Sequence, residues 1–199
     1  MKGSSPILVL AALAAIFAVP GSAVGAQAKQ PGSAAPARAA AASPESTAGR
    51  YVAALREADF ATVARLMHPS ALQQIRRLVT AVASKDGSGE VLRTLGGVGS
   101  ASELAAVPDT VLFARFLANT AGANEELRQA MRDARMEVLG HIAEGADTAH
   151  VLYRVHLTVQ GVPFRKVDVL SLRRSAGEWR ALLTADLEGM VGALTGGSF

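Results

Sequence analysis

Between His150 and Gln160 the side chains alternate. Val151, Tyr153, Val155, Leu157 and Val159 are apolar, whereas His150, Arg154, His156, Thr158 and Gln160 are polar. A two-residue period sends the first set to one side of an extended strand and the second to the other. One face is therefore dry and the other wet, as in an antiparallel sheet covered on a single side. The strand pattern begins near Arg135 and runs to about Thr184, broken at 144–147, 160–161 and 175–177. Breaks that short join only antiparallel neighbours, so the sequence predicts a curved four-stranded meander. In the third strand Val167 and Val169 alternate with Lys166 and Asp168; in the fourth Trp179, Ala181 and Leu183 alternate with Arg180, Leu182 and Thr184. Neither of these two patterns decides its inner face.

Ahead of the sheet the period changes to 3.6. A helix over 47–57 carries Tyr51 and Leu55 on one face, and Asp59 caps a short second helix containing Phe60, Val63, Ala64 and Met67. Pro69 suits the first turn of a third helix, with Leu72, Ile75, Val79 and Val82 on one side and Arg76 and Arg77 on the other. Gly96, Gly97 and Gly99 mark a turn, and Ser100 with Glu103 has capping-box spacing. Beyond Pro108, the residues Val111, Leu112, Phe113, Phe116 and Leu117 form a wide apolar stripe ending near Gly122; Asn124 caps a helix through Leu127 and Met131. Asp186 caps a closing helix with Leu187, Met190, Val191 and Leu194. Helices followed by a meander with one apolar face define an α+β class in which the helices cover that face.

The first 48 residues belong to neither pattern. Met1 and Lys2 precede an apolar run of about thirteen residues from Ile7 to Val19, short of the roughly 20 needed to span a bilayer, and Ala26-Gln27-Ala28 supplies a small-x-small cleavage pattern. The reading is a signal peptide over 1–28, a disordered Ala/Pro/Ser-rich linker over 29–48 and one domain over 49–199, with the mature protein in the periplasm or secreted. Cysteine is absent, which excludes disulfides, thiolate metal sites, a cysteine nucleophile and lipoprotein acylation. The sixteen arginines raise the isoelectric point, yet the net charge is only +3, weak grounds for an anionic partner. Alanine and arginine abundance suggests a bacterial source.

The segment "YVAALREADFATVARLMHP", Tyr51 to Pro69, together with "HVLYRVHLTVQGVPFRKVDVLSLRRSAGEWRALLT", His150 to Thr184, resembles the nuclear-transport-factor-2-like superfamily of cone-shaped, cystatin-like α+β domains. The resemblance covers roughly 47–194 and rests on the small-residue helix with an acid before "F-x-x-V" and on long hairpins ending in "G-E-W-R". It implies a sheet wrapped around a long helix to form a pocket, used by different members for isomerases, dehydratases, cyclases, ligand carriage and protein docking. The family's usual first strand has no counterpart unless 91–95 supplies it.

Carbon-acid chemistry in such a pocket needs a carboxylate base and a hydroxyl donor to the developing enolate. Asp168, Tyr51 and Tyr153 are the residues that fit those parts, although tyrosines on an apolar face ordinarily serve as core. His150 and His156 share a strand face but stand about 20 Å apart, too far to ligate one ion. No G-x-S-x-G elbow or phosphate-binding glycine motif occurs. Arg154, Lys166, Arg173, Arg174 and Arg180 make a basic patch on the meander without interleaved aromatics, which argues against nucleic acid. The expectation is a non-catalytic exported module, needing no cofactor or metal, whose cavity is lined by Tyr51, Phe113, Phe116, Tyr153 and Trp179. It holds a small apolar ligand or an envelope partner's side chains. The alternatives are an isomerase- or dehydratase-like enzyme using the same cavity, with Asp168 or a histidine as base, and a structural homodimer formed through the exposed sheet face.

Overall fold

A computed structural model describes residues 42–122, 125–159 and 162–184. Among the described residues six α-helices precede the sheet: α1 (Pro44–Arg56), α2 (Phe60–Leu66), α3 (Pro69–Ala83), α4 (Ala101–Ala106), α5 (Asp109–Gly122) and α6 (Glu125–Asp133), with a π-helical turn at Leu92–Gly96 between α3 and α4. The chain then forms β1 (Arg135–Glu144), β2 (Thr148–Val159), β3 (Val162–Ser175) and β4 (Glu178–Ala181) as an open antiparallel sheet in the order β1-β2-β3-β4. The α+β class and the meander are those the periodicities predict. The closing helix and the Asn124 cap fall outside the described residues.

Helix α1 begins inside the segment read as linker. The Ser43 hydroxyl accepts the Ser46 N–H at 3.2 Å and Pro44 occupies the first turn, so Ser43-Pro44 is a start signal rather than tether. Thr47 and Ala48 are fully buried, because small side chains let the helix sit close to its neighbours. The helix ends on Ala58 at φ 54°, with the Ala58 N–H donating to Leu55 O at 3.1 Å and the Asp59 N–H to Ala54 O at 2.9 Å. That is a Schellman arrangement with alanine in the left-handed position glycine usually holds. Asp59 then caps α2 by accepting the Thr62 N–H at 2.9 Å.

His68 caps α3 through its ring, Nδ1 accepting the Ser70 N–H at 3.2 Å, while its own N–H donates to Ala181 O at 2.7 Å. This bond and the Met67 to Ala181 bridge stitch the α2–α3 junction to the short edge strand β4. Along α3, Leu72, Ile75 and Val79 face the core as the spacing predicts, joined by Leu78, while Val82 is half-buried. Arg77 is exposed, but Arg76 is not a solvated residue: its guanidinium pairs with Asp109 and donates to Leu104 O at 2.8 Å and to Val107 O, clamping the α4–α5 junction onto α3. Residues 91–95 are helical, so they supply no first strand; Gly97 at φ 62° closes that turn. On α5, Leu112, Phe113, Phe116 and Leu117 are buried, whereas Val111, read as part of the stripe, is 39% exposed.

Pairing settles the faces of the later strands. Tyr153 stands opposite Asp168, Val155 opposite Lys166, and Val151 opposite Leu170. Directly opposed residues share a face, so Lys166, Asp168, Leu170 and Leu172 join the inner side and Val167 and Val169 point outward, 50% and 43% exposed. The β3–β4 hairpin turns on Ala176 and Gly177, both at positive φ, as a two-residue connection between paired strands requires. In β1 the register slips between Val138 and Gly140, leaving Leu139 as a bulge.

Candidate functional site

The inner face of the sheet and helices α1, α5 and α6 enclose a small apolar cleft. Its walls include Tyr51 and Leu55 from α1, Leu117 and Ala121 from α5, Met131 from α6, and Met136, Tyr153, Val155 and Leu170 from the sheet. The internal volume is about 50 Å³. Drug-sized ligands occupy roughly 300–1,000 Å³, whereas a water takes about 30 Å³, so the space admits a few heavy atoms. A shallower cleft of about 130 Å³ adjoins it and shares Leu55, Arg56, Phe60, Ala121 and Met131. Together they form a groove with an apolar interior whose lining also carries Arg56, Glu57, Arg128, Arg132 and Arg135.

The electrostatics are those of a dry site. Burial pushes the Tyr51 phenol up to about 12. Burial also raises the Tyr153 phenol, with further contributions from the Asp168 charge and from Tyr51. Both hydroxyls are therefore neutral donors at physiological pH, and neither makes a hydrogen bond among the described residues. Asp168 stands beside Tyr153 across the β2–β3 ladder but is already engaged. Its Oδ2 pairs with Lys166 Nζ at 3.0 Å and its Oδ1 accepts the Val169 N–H at 2.8 Å. Lys166 and Asp168 keep only 14% and 23% of their side-chain surface. Both carboxylate oxygens are thus already partnered, and Asp168 is not a wall of the cleft.

Of the residues read as a ligand-binding set, Tyr51 and Tyr153 line the cleft. Phe113 and Phe116 are buried at 3% and 4% exposure and fill the core beneath it. Trp179 belongs to a different region: it lies opposite Arg174 at the β3–β4 hairpin, with that guanidinium 4.5 Å from its ring centre. The cavity's aliphatic walls, Leu55, Leu117 and Met131, read in the sequence only as apolar helix faces, because residues of this kind are indistinguishable from core by pattern. The basic patch also divides. Lys166 faces inward, Arg154 pairs with Glu137 at 2.6 Å and Arg174 covers Trp179, while Arg173 and Arg180 lie near His68.

The histidines are separated by face. His141 opposes the inward Val151 and pairs with Glu45 of α1, whereas His150, one rung along and on the other face, bonds Ser171 Oγ at 3.0 Å and Glu144 Oε2 at 2.8 Å. Among the described residues no group of three His, Asp or Glu side chains is arranged to hold a metal ion, and no helix is long and apolar enough to cross a membrane. The class defined here is an α+β domain with an open antiparallel sheet sheltering an apolar groove. No protein-family model, curated protein or solved structure matches the chain.

Proposed function

We propose that the chain is an exported, non-catalytic binding module of the nuclear-transport-factor-2-like type, whose groove takes one apolar side chain or alkyl end from a partner or small ligand. The supporting observation is the inner cleft: mostly aliphatic and aromatic walls, two neutral phenol donors and about 50 Å³ of internal space, with no carboxylate among the described residues of its lining, Glu57 belonging only to the adjoining shallow part. Such a site rewards burial of a few carbons, at roughly 0.8 kcal/mol per methylene. The isomerase or dehydratase alternative draws support from the proximity of Tyr153 to Asp168, and is weakened by the Lys166 pairing that keeps this carboxylate occupied.

Methyl resonances of Leu55, Leu117 and Met131, followed during titration with primary alcohols of increasing chain length, test the reading. Saturable shifts that strengthen with each carbon and disappear in Ala121→Phe are expected. Shifts that fail to saturate, or survive in that variant, refute it. Export predicts a mature product from the native host that begins at Lys29, checked by intact mass.

Self-association through the outer sheet face is a second reading, favoured by Ile142, Val167 and Val169 at 60%, 50% and 43% exposure. Light scattering decides it, since a monomer at all concentrations removes it.

A further inference from the structure

A second, polar cleft lies at the far end of the sheet, between α1, α2 and the β3–β4 hairpin. Its volume is about 480 Å³, within the range of small-molecule sites. Its walls bring together Arg50 from α1, Arg65 from α2 and Arg180 from β4, beside Trp179, with Glu178 as the one acid of the lining. Glu178 pairs with Arg180 at 2.5 Å. Arg180 also donates to Arg65 O, and Arg65 donates to Thr62 Oγ1 at 2.6 Å, which leaves each guanidinium with unused donors. Arg50 has no hydrogen bond or ion pair among the described residues. Residues 1–41 carry Lys2, Lys29 and Arg38 and no acid.

We infer that this cleft binds a phosphate group, presented by a soluble phosphorylated molecule or by a phospholipid headgroup. Guanidinium forks match phosphate oxygens two at a time, and three of them line a cleft whose lining holds one carboxylate, Glu178, while Asp59 outside the lining offsets part of the Arg65 charge. An independent sign of the local field is His68, held below its ordinary value by burial and then by the charges of Arg173 and Arg180. Trp179 walls the cleft on its sheet side under the Arg174 guanidinium, so the site combines a rigid aromatic wall with three movable cations.

Trp179 is the only tryptophan in the chain, so its fluorescence reports this cleft alone. The mature protein is titrated at low salt with pyrophosphate, glycerol phosphate and succinate, and separately with vesicles of phosphatidylglycerol and of phosphatidylcholine. A saturable change with the phosphates, weakened by added salt and by at least about tenfold in Arg50→Glu, is expected. A response to the soluble phosphates assigns a free ligand. A response to phosphatidylglycerol vesicles without one to the soluble phosphates assigns a headgroup. The inference is overturned if neither source changes the emission, if succinate matches pyrophosphate, or if Arg50→Glu binds as tightly as the parent. Arg50 is exposed, so this variant is expected to keep the parent's denaturation midpoint; Arg65→Glu, also exposed, provides a second charge reversal. Ala121→Phe, which fills the apolar groove, leaves this binding unchanged and separates the two sites.

Discussion

Replacing Arg76 by methionine preserves most of the aliphatic stem and removes three contacts at once. The guanidinium pairs with Asp109 and donates to the carbonyls of Leu104 and Val107, at the end of α4 and the turn before α5. The Arg76 and Asp109 side chains retain 25% and 32% of their surface, so water partly compensates. At about 1 kcal/mol for each partly solvated, charge-assisted bond, R76M is expected to cost about 2–4 kcal/mol, including the carbonyls it strands. For a domain near 150 residues that lowers Tm by about 5–12 °C. Lysine offers one ammonium in place of a planar fork, so R76K is expected to recover less than half of the loss. Arg77, exposed one position along, is the control, and R77M is expected to stay within about 0.5 kcal/mol of the parent. Urea denaturation reads the energies, and hydrogen exchange at 104–109 locates them. The same clamp fixes α5, which carries the groove walls Leu117 and Ala121, so alcohol binding weakens alongside stability in R76M. If R76M and R77M prove indistinguishable, the clamp contributes nothing and the reasoning fails.

Two further predictions concern pH. Tyr51 and Tyr153 are the chain's only tyrosines and both stay protonated in the fold beyond the value at which an unfolded tyrosine ionises, near 10. The stability this gives is complete below about pH 10 and is lost as pH rises toward about 12, of order 2 kcal/mol for Tyr51; phenolate absorbance should appear together with unfolding, and ionisation of either ring in a folded chain contradicts it. His68 behaves in the opposite sense, because its folded value is lowered and its neutral ring accepts the Ser70 N–H. Stability is full above about 6.5 and declines as pH falls through that value. In His68→Asn, which caps without titrating, the decline between about pH 8 and about pH 5 should flatten, and parallel curves for parent and variant would dismiss the histidine as its cause.

The parts of the fold that could be read from sequence are those where one local rule acts alone. The strict alternation of β2 and the caps at Asp59 and Ser100 needed no tertiary information, and each has the partner its chemistry demands. Where two rules compete, the pattern misleads or stays silent. The valines at 167 and 169 leave the inner face of β3 undecided, because Leu170 and Leu172 have the opposite parity; it is the burial of these leucines that sets the register and turns the valines out. Arg76 follows the polar side of an amphipathic helix in sequence, but distant carbonyls claim it. The candidate site was half legible for the same reason: Tyr51 and Tyr153 sit on patterned faces that meet, whereas the burial of Phe113 and Phe116 below the groove, and the position of Trp179 at the other end, depend on how far along the sheet each helix crosses.

The bulge in β1 bears on how the folded protein avoids pairing with other chains. This strand is an outermost one, and Ile142 shows how much oil it displays. Leu139 divides its free rim into stretches of four and five residues, 135–138 and 140–144, whose main-chain donors no longer keep a common phase. Fibril growth recruits runs of about six or seven residues in step. A stray strand arriving here finds its rhythm broken midway, so the misplaced residue acts as a guard against the chain's own tendency to stack.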